Sequence, residues 1–199
     1  MSRAPTNLFD LYLAPAFFDA KACAELIAEL AASPQGPATV YGLAAGGAVD
    51  ERVRKVARVT PSAQTMDKVR QQLMAAAPAV GAHFGLTLRT CEEPQFLRYE
   101  VGSFFVAHQD GNTGLLRSEA EQARKASVVI FLNPQSDDEA PGSFAGGSLL
   151  FTEWRADRTR GQYSWDAQTG TLVAFTPETT HEVTPVTRGE RYSIASWYR

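Results

Sequence analysis

Two segments far apart in the chain carry residues of the types that bind metal ions. The first is the triplet His108-Gln109-Asp110, and the second holds His181. In an extended segment, side chains two residues apart point to the same side, so His108 and Asp110 face one volume. Two imidazoles and one carboxylate on one face of a metal ion leave the opposite positions open, an arrangement that suits Fe(II). The three residues therefore predict a metal site with room for further ligands.

A third segment, which follows His181, predicts the chemistry of one such ligand. In the last predicted strand, Arg191 and Ser193 alternate with Tyr192 and Ile194, so they share one face. If that face is interior, Arg191 needs an anion, because a buried charge without a partner is too costly to keep. A planar guanidinium suits a carboxylate, and the Ser193 hydroxyl adds a donor. A salt bridge to an internal acid, or an Arg191 that faces outward, is the alternative interpretation.

Each predicted metal ligand also has a plain structural explanation. Asp110 precedes Gly111, and Asp-Gly is a common turn signal, so His108 could simply hydrogen-bond nearby. His181 could be a surface histidine of a loop. The context favours the metal site, since His108 ends a β-like run and His181 lies between two such runs. The remaining histidine, His83, follows an apolar helical pattern, and we predict a structural or surface role for it.

The composition predicts a single globular domain. The chain has 199 residues, of which 44% are hydrophobic, and this length is sufficient for one large core but not for two ordinary domains. The net charge of -3 and the lack of a basic run give no indication of nucleic-acid binding. Cys23 and Cys91 lack metal-type spacing and predict idle thiols in a reducing compartment. Without an apolar leader or an apolar run of about 18 residues, we expect a soluble, cytoplasmic protein with no membrane contact.

The N-terminal half predicts two helices. Asp19 can cap the first, whose apolar residues recur at helical spacing until the Pro- and Gly-containing stretch 33–37 ends it. The second helix is predicted from about Ser62 to Ala77, with Pro78 near its stop.

From residue 95 onward, short β-like runs are broken by Gly, Pro and Asp. The predicted strands are 96–101, 104–108, 127–132, 148–152, 171–175, 182–186 and 191–198, after an earlier short strand near 53–59. Strands at this spacing favour a sandwich or barrel over a βαβ sheet, with the helices packed on one outer face. We therefore predict one domain over 1–199, with a helical support region and substrate loop at 1–94 and a mainly β catalytic core at 95–199.

Three further stretches predict loops around the site. Residues 41–50 are rich in Gly and Ala and predict a flexible loop. The stretch 134–147 is too polar for the core and long for a hairpin, so we predict a mobile loop or lid. The loops 41–50 and 111–125 could fold over an extended peptide.

Taken together, these segments resemble the Fe(II)- and 2-oxoglutarate-dependent dioxygenases, specifically their prolyl 4-hydroxylase-like branch. The resemblance covers about half of the chain, in the order and spacing that this family shows. The matching stretches are Gln95 to Asp110 with Tyr99 and Gly102, then 128–133, 144–149, 170–175 and 181–193.

The resemblance implies a fold, a ligand set and a reaction. The implied fold is a double-stranded β-helix, or jelly roll. Fe(II) would be bound by His108, Asp110 and His181, Arg191 would pair with the C5 carboxylate of 2-oxoglutarate, and Tyr99 would donate a hydrogen bond near its C1 end. With O2 as oxidant and ascorbate as a stimulant, a substrate C–H bond would become an alcohol while 2-oxoglutarate gives succinate and CO2.

The chain departs from this pattern at two positions. Phe131 stands where relatives of the oxygen-sensing hydroxylases carry a tyrosine that also touches the C5 carboxylate, and we predict that Ser193 replaces it. Trp197 stands where the nucleic-acid demethylase branch carries a second arginine, which argues against a DNA or RNA substrate.

The sequence leaves the substrate open. The prolyl hydroxylase-like motifs favour a peptidyl proline, and a free amino acid or another small metabolite is the alternative. A non-catalytic barrel with a structural zinc ion is a further class, but such a site normally has a fourth protein ligand, and neither cysteine is near. A carboxylate-binding sensor without turnover is the third class. The sequence predicts no oligomeric state.

Overall fold

The computed structural model describes residues 9–40, 48–111, 119–154 and 160–199 as two large β-sheets, a small two-stranded sheet and their helices. The helices are α1 (Ala20–Ala32), α2 (Ala63–Phe84) and α3 (Glu119–Gln122). The strands are β1 (Tyr12–Ala14), β2 (Gln35–Pro37), β3 (Arg54–Lys55), β4 (Ala57–Val59), β5 (Gln95–Tyr99), β6 (Phe104–His108), β7 (Ala126–Phe131), β8 (Ala145–Gly146), β9 (Leu149–Trp154), β10 (Arg160–Trp165), β11 (Leu172–Phe175), β12 (Thr180–Val183), β13 (Val186–Arg188) and β14 (Arg191–Tyr198).

Two antiparallel sheets pack face to face, and most of their strands come from the second half of the chain. The larger sheet has the strand order β1-β11-β7-β14-β5-β4-β2, and the smaller has the order β10-β9-β12-β6-β3. Phe131 and Phe175 of the larger sheet share an apolar cluster with Phe151 of the smaller one. Leu97 and Val183 meet in a second cluster between the sheets. Side chains from the two inner faces thus form a common core, and the predicted jelly roll is confirmed.

The helices cover the outer face of the larger sheet, as predicted. Leu30 of α1 and Leu73 of α2 pack in one cluster with Ile130 of β7 and Ile194 of β14. Because side chains alternate along a strand, the neighbours of Ile194 on β14 point into the space between the sheets. This alternation directs the chemistry-bearing residues of β14 inward. No helix in the described ranges combines the length and apolar character needed to cross a membrane.

The helix starts agree with the prediction, but the end of α2 does not. Asp19 caps α1, where its carboxylate accepts the N–H of Ala22 at 2.7 Å. The predicted stop of α2 near Pro78 is wrong, since the helix runs on to Phe84 and ends at Gly85 with a φ of 67°. The turn after Pro78 buries Val80 completely. Packing of that turn outweighs the one backbone hydrogen bond that a proline cannot donate.

Two predicted strands are each divided in the structure. The strand predicted near 53–59 becomes β3, which pairs with β6 of the smaller sheet, and β4, which pairs with β5 of the larger. The run 182–186 likewise spans the end of β12 and the start of β13. The strands β1, β2, β8 and β10 were not predicted. They are short or contain Gly and Pro, and pairing with a neighbouring strand overrides weak local propensity.

The stretch 134–147 is attached to the barrel. Phe144 is fully buried in the core, so the prediction that the stretch is too polar for the core is wrong at this residue. Arg188 donates hydrogen bonds to the carbonyl oxygens of Ser136 at 2.7 Å and Asp138 at 2.8 Å. Of the other two predicted loops, residues 41–47 and 112–118 lie outside the described residues.

The remaining predicted structural residues have the expected roles. Cys23 is buried, Cys91 is half-buried, and both thiols are free. His83 Nε2 lies 2.8 Å from a carboxylate oxygen of Asp10 and therefore ties the end of α2 to the segment before β1.

Candidate metal centre and active site

The three predicted metal ligands meet at one place in the smaller sheet. His108 is the last residue of β6, and His181 on β12 is its direct cross-strand partner. The two imidazole centroids are 4.3 Å apart. Asp110 follows β6 by two residues, and its backbone N–H donates to the carbonyl oxygen of Pro177 at 2.9 Å. That bond turns the carboxylate toward both rings.

The distances within this group leave room for a cation. One carboxylate oxygen of Asp110 lies 3.6 Å from His108 Nε2, and the other lies 3.5 Å from His181 Nε2. One potential ligand atom from each residue lies within 4.8 Å of the others. These separations exceed a good hydrogen bond. Two ligand atoms that each lie about 2.1 Å from a metal ion, at right angles to one another, are about 3 Å apart. The oxygen-to-nitrogen distances of 3.5 and 3.6 Å are only slightly longer than this.

Hydrogen bonds at the far side of each ring direct the lone pairs inward. His108 Nδ1 lies 2.8 Å from the carbonyl oxygen of Val106, and His181 Nδ1 lies 2.9 Å from that of Thr179. A carbonyl only accepts, so each Nδ1 carries a proton, and each Nε2 is the ring nitrogen that lies toward Asp110. Burial, together with repulsion from His108, lowers the pKa of His181 to about 4. The His181 ring is therefore neutral at physiological pH, the form that binds metals.

Asp110 is held so that one oxygen stays available. The Ser127 hydroxyl donates to Oδ2 at 2.7 Å, and Arg124 donates to the backbone carbonyl of Asp110 at 3.0 Å. Burial alone would raise the pKa of Asp110, but the imidazoles of His181 and His108 outweigh it and hold that pKa well below its ordinary value. Asp110 is thus a carboxylate, with Oδ1 toward the His108 ring and Oδ2 toward the His181 ring. This donor set fits a divalent metal ion.

An irregularity in β6 sets the direction of His108. His181 pairs with His108 and Val183 pairs with Phe105, so β6 uses one more residue than β12 over the same span. Such a bulge reverses the alternation of side chains. As a result, Phe105 and His108 lie on the same side, and their rings stack at 3.6 Å between centroids with 19° between planes. The bulge therefore supplies His108 with an aromatic support.

Arg191 faces the interior without an acidic partner. Its side chain is 1% exposed, and burial lowers the pKa of its guanidinium. One nitrogen donates to the Ser193 hydroxyl at 2.7 Å, whereas Nε is buried without an acceptor. The guanidinium lies 4.7 Å from the Tyr99 ring centroid and 5.2 Å from that of Phe131. No carboxylate of the described residues pairs with it, so these residues offer no internal salt bridge, and its burial excludes an outward orientation.

Space beside Arg191 is preserved by a glycine. Gly147 has a φ of 60°, in the left-handed region that glycine adopts readily, and a Cβ built there would come within 3.1 Å of Arg191 Cδ. The close approach of the backbone to this side chain, and to Val186 Cγ2 at 2.9 Å from such a Cβ, explains the glycine at position 147.

All six predicted site residues line one cleft between the sheets, with a volume of about 140 Å³: Tyr99, His108, Asp110, His181, Arg191 and Ser193. Sequence reasoning missed Ser127 and Arg124, which hold Asp110. Ser127 was detectable, since strand alternation puts it on the inner face of β7, but Arg124 follows α3 and no local pattern indicates it. Gln109, which lies between His108 and Asp110, donates a hydrogen bond from its side-chain amide to the Thr180 hydroxyl oxygen at 3.1 Å.

Comparison with known proteins identifies the family. The sequence model of the 2OG-Fe(II) oxygenase superfamily matches residues 94–199. A PKHD-type hydroxylase of Paracoccus denitrificans is 28% identical over 172 residues, 82% of this chain and 68% of the relative. A PKHD-type hydroxylase of Burkholderia cenocepacia is 32% identical over 154 residues, 77% of this chain and 62% of the relative. The chain thus spans about two thirds of the length of these relatives.

Solved structures show the same fold. A Pseudomonas putida prolyl-4-hydroxylase superposes with a TM-score of 0.67 and 25% identity, covering 96% of this chain and 93% of that one. A Trichoplax adhaerens prolyl hydroxylase, solved with a peptide fragment of the hypoxia-inducible-factor oxygen degradation domain, also has a TM-score of 0.67, with 16% identity and coverage of 96% and 84%. With the family match over more than half of the residues, the chain belongs to the 2OG-Fe(II) oxygenase superfamily, whose cofactors are Fe(II), 2-oxoglutarate and O2.

Proposed function

We propose that this chain hydroxylates a C–H bond of a peptidyl proline in a reaction that consumes 2-oxoglutarate and O2 and releases succinate and CO2. The observation that carries the proposal is Arg191, a buried guanidinium that pairs with no acid among the described residues, in the same cleft as an open His-Asp-His group. A buried cation of this kind requires an anionic ligand. A dicarboxylate that reaches the metal with its other end meets both requirements.

His108, Asp110 and His181 are the proposed ligands of Fe(II). One ligand atom from each of these residues lies within 4.8 Å of the others, and all three residues line the cleft. When bound, Fe(II) with 2-oxoglutarate and O2 supplies the oxidation that inserts one oxygen atom into the substrate C–H bond and the other into succinate. The chain's own ligands keep the metal at one wall of the cleft, where the cosubstrate and the substrate can both reach it.

Arg191, Ser193 and Tyr99 are the proposed residues for 2-oxoglutarate. The guanidinium offers its free N–H groups to the distal carboxylate. Because the Ser193 oxygen accepts from Arg191, its own proton is free to donate to that carboxylate. The rings of Tyr99 and Phe131 enclose the guanidinium and exclude water from the pair. No acid or base from the protein is needed for this chemistry.

Two structural neighbours that are prolyl hydroxylases support the proposal of a peptidyl substrate. The Pseudomonas putida neighbour is a prolyl-4-hydroxylase, and the Trichoplax adhaerens neighbour holds a peptide. Thr39, Val53 and the β3 residue Arg54 line the cleft of this chain. A free amino acid or another small metabolite is the competing substrate class.

A coupled assay tests the function. The protein is incubated with Fe(II), ascorbate, 2-oxoglutarate and O2, and succinate is measured with and without a proline-containing peptide or free proline. We expect succinate formation that depends on Fe(II), together with a peptide that gains the mass of one oxygen atom at proline. Stimulation by free proline alone would instead favour the small-molecule class. No succinate under any of these conditions would contradict the proposed function.

A further inference from the structure

Gln95 is a polar residue of the cleft that neither the metal nor the cosubstrate uses. It is the first residue of β5 and shares the inner face of that strand with Leu97 and Tyr99. Its side chain is 7% exposed and lines the cleft. A buried carboxamide normally finds partners for both its oxygen and its nitrogen.

The orientation of the Gln95 amide follows from its neighbour. The Nη2 atom of Arg54 lies 3.2 Å from the Oε1 atom of Gln95. A guanidinium only donates, so the carboxamide oxygen must be the atom beside Arg54 and Nε2 must point away from it. Within the described part of the chain, Gln95 Nε2 has no acceptor. The structure thus holds an oriented N–H donor in the cleft without a protein partner.

Arg54 is itself fixed in place and therefore fixes Gln95. Its Nη1 atom donates to the carbonyl oxygen of Thr39 at 3.0 Å, and its guanidinium lies 4.7 Å from the centroid of the Phe105 ring. Phe105 in turn stacks on His108. This chain of contacts joins the Gln95 amide to the wall of the cleft that carries the proposed metal ligands.

The carboxylate that Arg191 binds cannot be the missing acceptor. On β14, Arg191 pairs with Tyr99, whereas Gln95 pairs with Ala195 at the other end of the same strand pair. Four residues of extended strand separate Tyr99 from Gln95 by about 13 Å. The acceptor for Gln95 must therefore come from a different part of the bound molecules.

We propose that Gln95 Nε2 binds a carbonyl or carboxylate oxygen of the substrate that is hydroxylated, with Arg54 as the residue that positions Gln95. For a proline substrate, that oxygen belongs to the amide carbonyl of a peptide or to the carboxylate of the free amino acid. This inference rests on the proposed function and assigns a specificity residue to the same cleft.

Binding without turnover tests the inference. Wild-type protein with Fe(II) and 2-oxoglutarate is titrated under anaerobic conditions with two probes, N-acetyl-Gly-Pro-Gly-amide and free L-proline. Gln95→Glu keeps the acceptor for Arg54 but removes the N–H donor, and Gln95→Met removes both without adding charge. The matched control is Gln35→Glu, since Gln35 also accepts from an arginine, Arg98, but at an exposed position outside the cleft.

We expect both Gln95 variants to bind the preferred probe about five- to tenfold more weakly, the effect of one lost hydrogen bond. Their affinities for Fe(II) and 2-oxoglutarate should equal those of wild type, and Gln35→Glu should bind the probe normally. The probe that responds tells a peptide carbonyl from a free carboxylate.

Three results would overturn the inference: unchanged probe affinity in both Gln95 variants, a loss that falls on 2-oxoglutarate instead, or no binding of either probe to a wild-type protein that forms succinate. A wild-type protein that binds no 2-oxoglutarate and forms no succinate would show instead that the proposed function has failed.

Discussion

At the scale of single residues, Arg191 and Ser193 act as one donor pair. Ser193 accepts from Arg191 at 2.7 Å, which leaves its hydroxyl proton to donate elsewhere. Phe131, the cross-strand partner of Ser193, has no polar atom to offer a carboxylate. We therefore keep as a proposal the prediction that Ser193 takes the place of a phenol.

Ser193→Ala should raise the concentration of 2-oxoglutarate required for half-maximal activity. Loss of a hydrogen bond to a charged group costs about 1.5–3 kcal/mol, roughly a 10- to 150-fold change. Phe131→Tyr in the same protein should restore part of the affinity. The measurement is succinate formation as a function of 2-oxoglutarate. An unchanged requirement in Ser193→Ala would show that the hydroxyl does not reach the cosubstrate.

Arg191 separates cosubstrate binding from metal binding. Arg191→Lys keeps a cation but loses the planar fork, so 2-oxoglutarate should bind more weakly without loss of all binding. Arg191→Leu removes the charge and should cost about 2–5 kcal/mol, roughly 30-fold or more. Calorimetric titration should show normal Fe(II) binding in both variants. Retention of 2-oxoglutarate affinity in Arg191→Leu would contradict the assigned role.

The metal ligands give a third prediction at this scale. His108→Ala, Asp110→Ala and His181→Ala should each weaken Fe(II) binding more than about 100-fold and abolish succinate formation, while circular dichroism shows the native fold. His83→Ala is the matched control, because His83 contacts Asp10 and not the cleft. Unfolding of the three variants, with His83→Ala folded, would point to a structural metal.

At the scale of elements, a network around Glu92 joins the turn after β6 to the end of β14. Glu92 accepts two hydrogen bonds from Arg124, at 2.8 and 2.9 Å, and two from Arg199, at 2.7 and 3.2 Å. Arg124 also lies with its guanidinium 3.8 Å from the Trp197 ring centroid and donates to the backbone of Asp110. The network connects a proposed metal ligand to residues far from it in sequence.

Glu92→Gln should destabilise the protein in a pH-dependent way. Burial alone would raise the pKa of Glu92, but hydrogen bonds from Arg124 and Arg199 more than offset it, so the pKa is lowered. A lowered carboxyl pKa contributes stability that is present above the unfolded-state value, about 4.3, and is lost as pH falls through the folded-state value. At pH 7 we expect a loss of about 1.5–3 kcal/mol in the free energy of unfolding.

Urea unfolding at several pH values checks this prediction. The difference between wild type and Glu92→Gln should shrink as the pH falls below about 4.3. Glu93→Gln is the neighbouring control, since Glu93 pairs with Arg58 in an exposed salt bridge and should cost less than about 1 kcal/mol. A constant difference at all pH values would show that charge is not the cause.

The elements also show where sequence reasoning works and where it does not. β6 and β14 were predicted with their observed bounds, because both are runs of mostly apolar and aromatic residues with Gly or Asp close to an end. The helix α2 was ended too early, because Pro78 has a clear local effect while the burial of Val80 depends on a distant sheet. Local signals are read from neighbours in sequence, and tertiary packing is not.

At the scale of the whole molecule, the same distinction applies to the site. His108, Asp110, His181, Arg191 and Ser193 could be predicted because each has a neighbour of matching chemistry two residues away or lies at a strand end. Arg124, Glu92 and Gln95 could not be assigned, because their contacts form between segments separated by 14 to 107 residues. Such contacts depend on register and loop path.

Because the proposed ligands come from both sheets, ligand binding should stabilise the entire barrel. His108 and His181 lie on the smaller sheet, and Arg191 and Tyr99 lie on the larger. Under anaerobic conditions we expect Fe(II) to raise the Tm and 2-oxoglutarate to raise it further. Each ligand at 100 times its Kd should add about 2.7 kcal/mol to the free energy of unfolding. Thermal scans of Arg191→Leu should keep the first increase and lose the second; a full second increase would be inconsistent with the proposed anion site.

His181 pairs directly with His108 across β12 and β6, so the proposed metal site forms only when these two strands have the correct register. A slip of one residue between these strands would turn one imidazole to the opposite face and leave fewer than three ligands together. Misaligned chains, even compact ones with normal secondary structure, would then fail to retain iron. A metal titration of a refolded sample should therefore count the molecules whose strands have found their proper alignment, which spectroscopic helix and strand content cannot do.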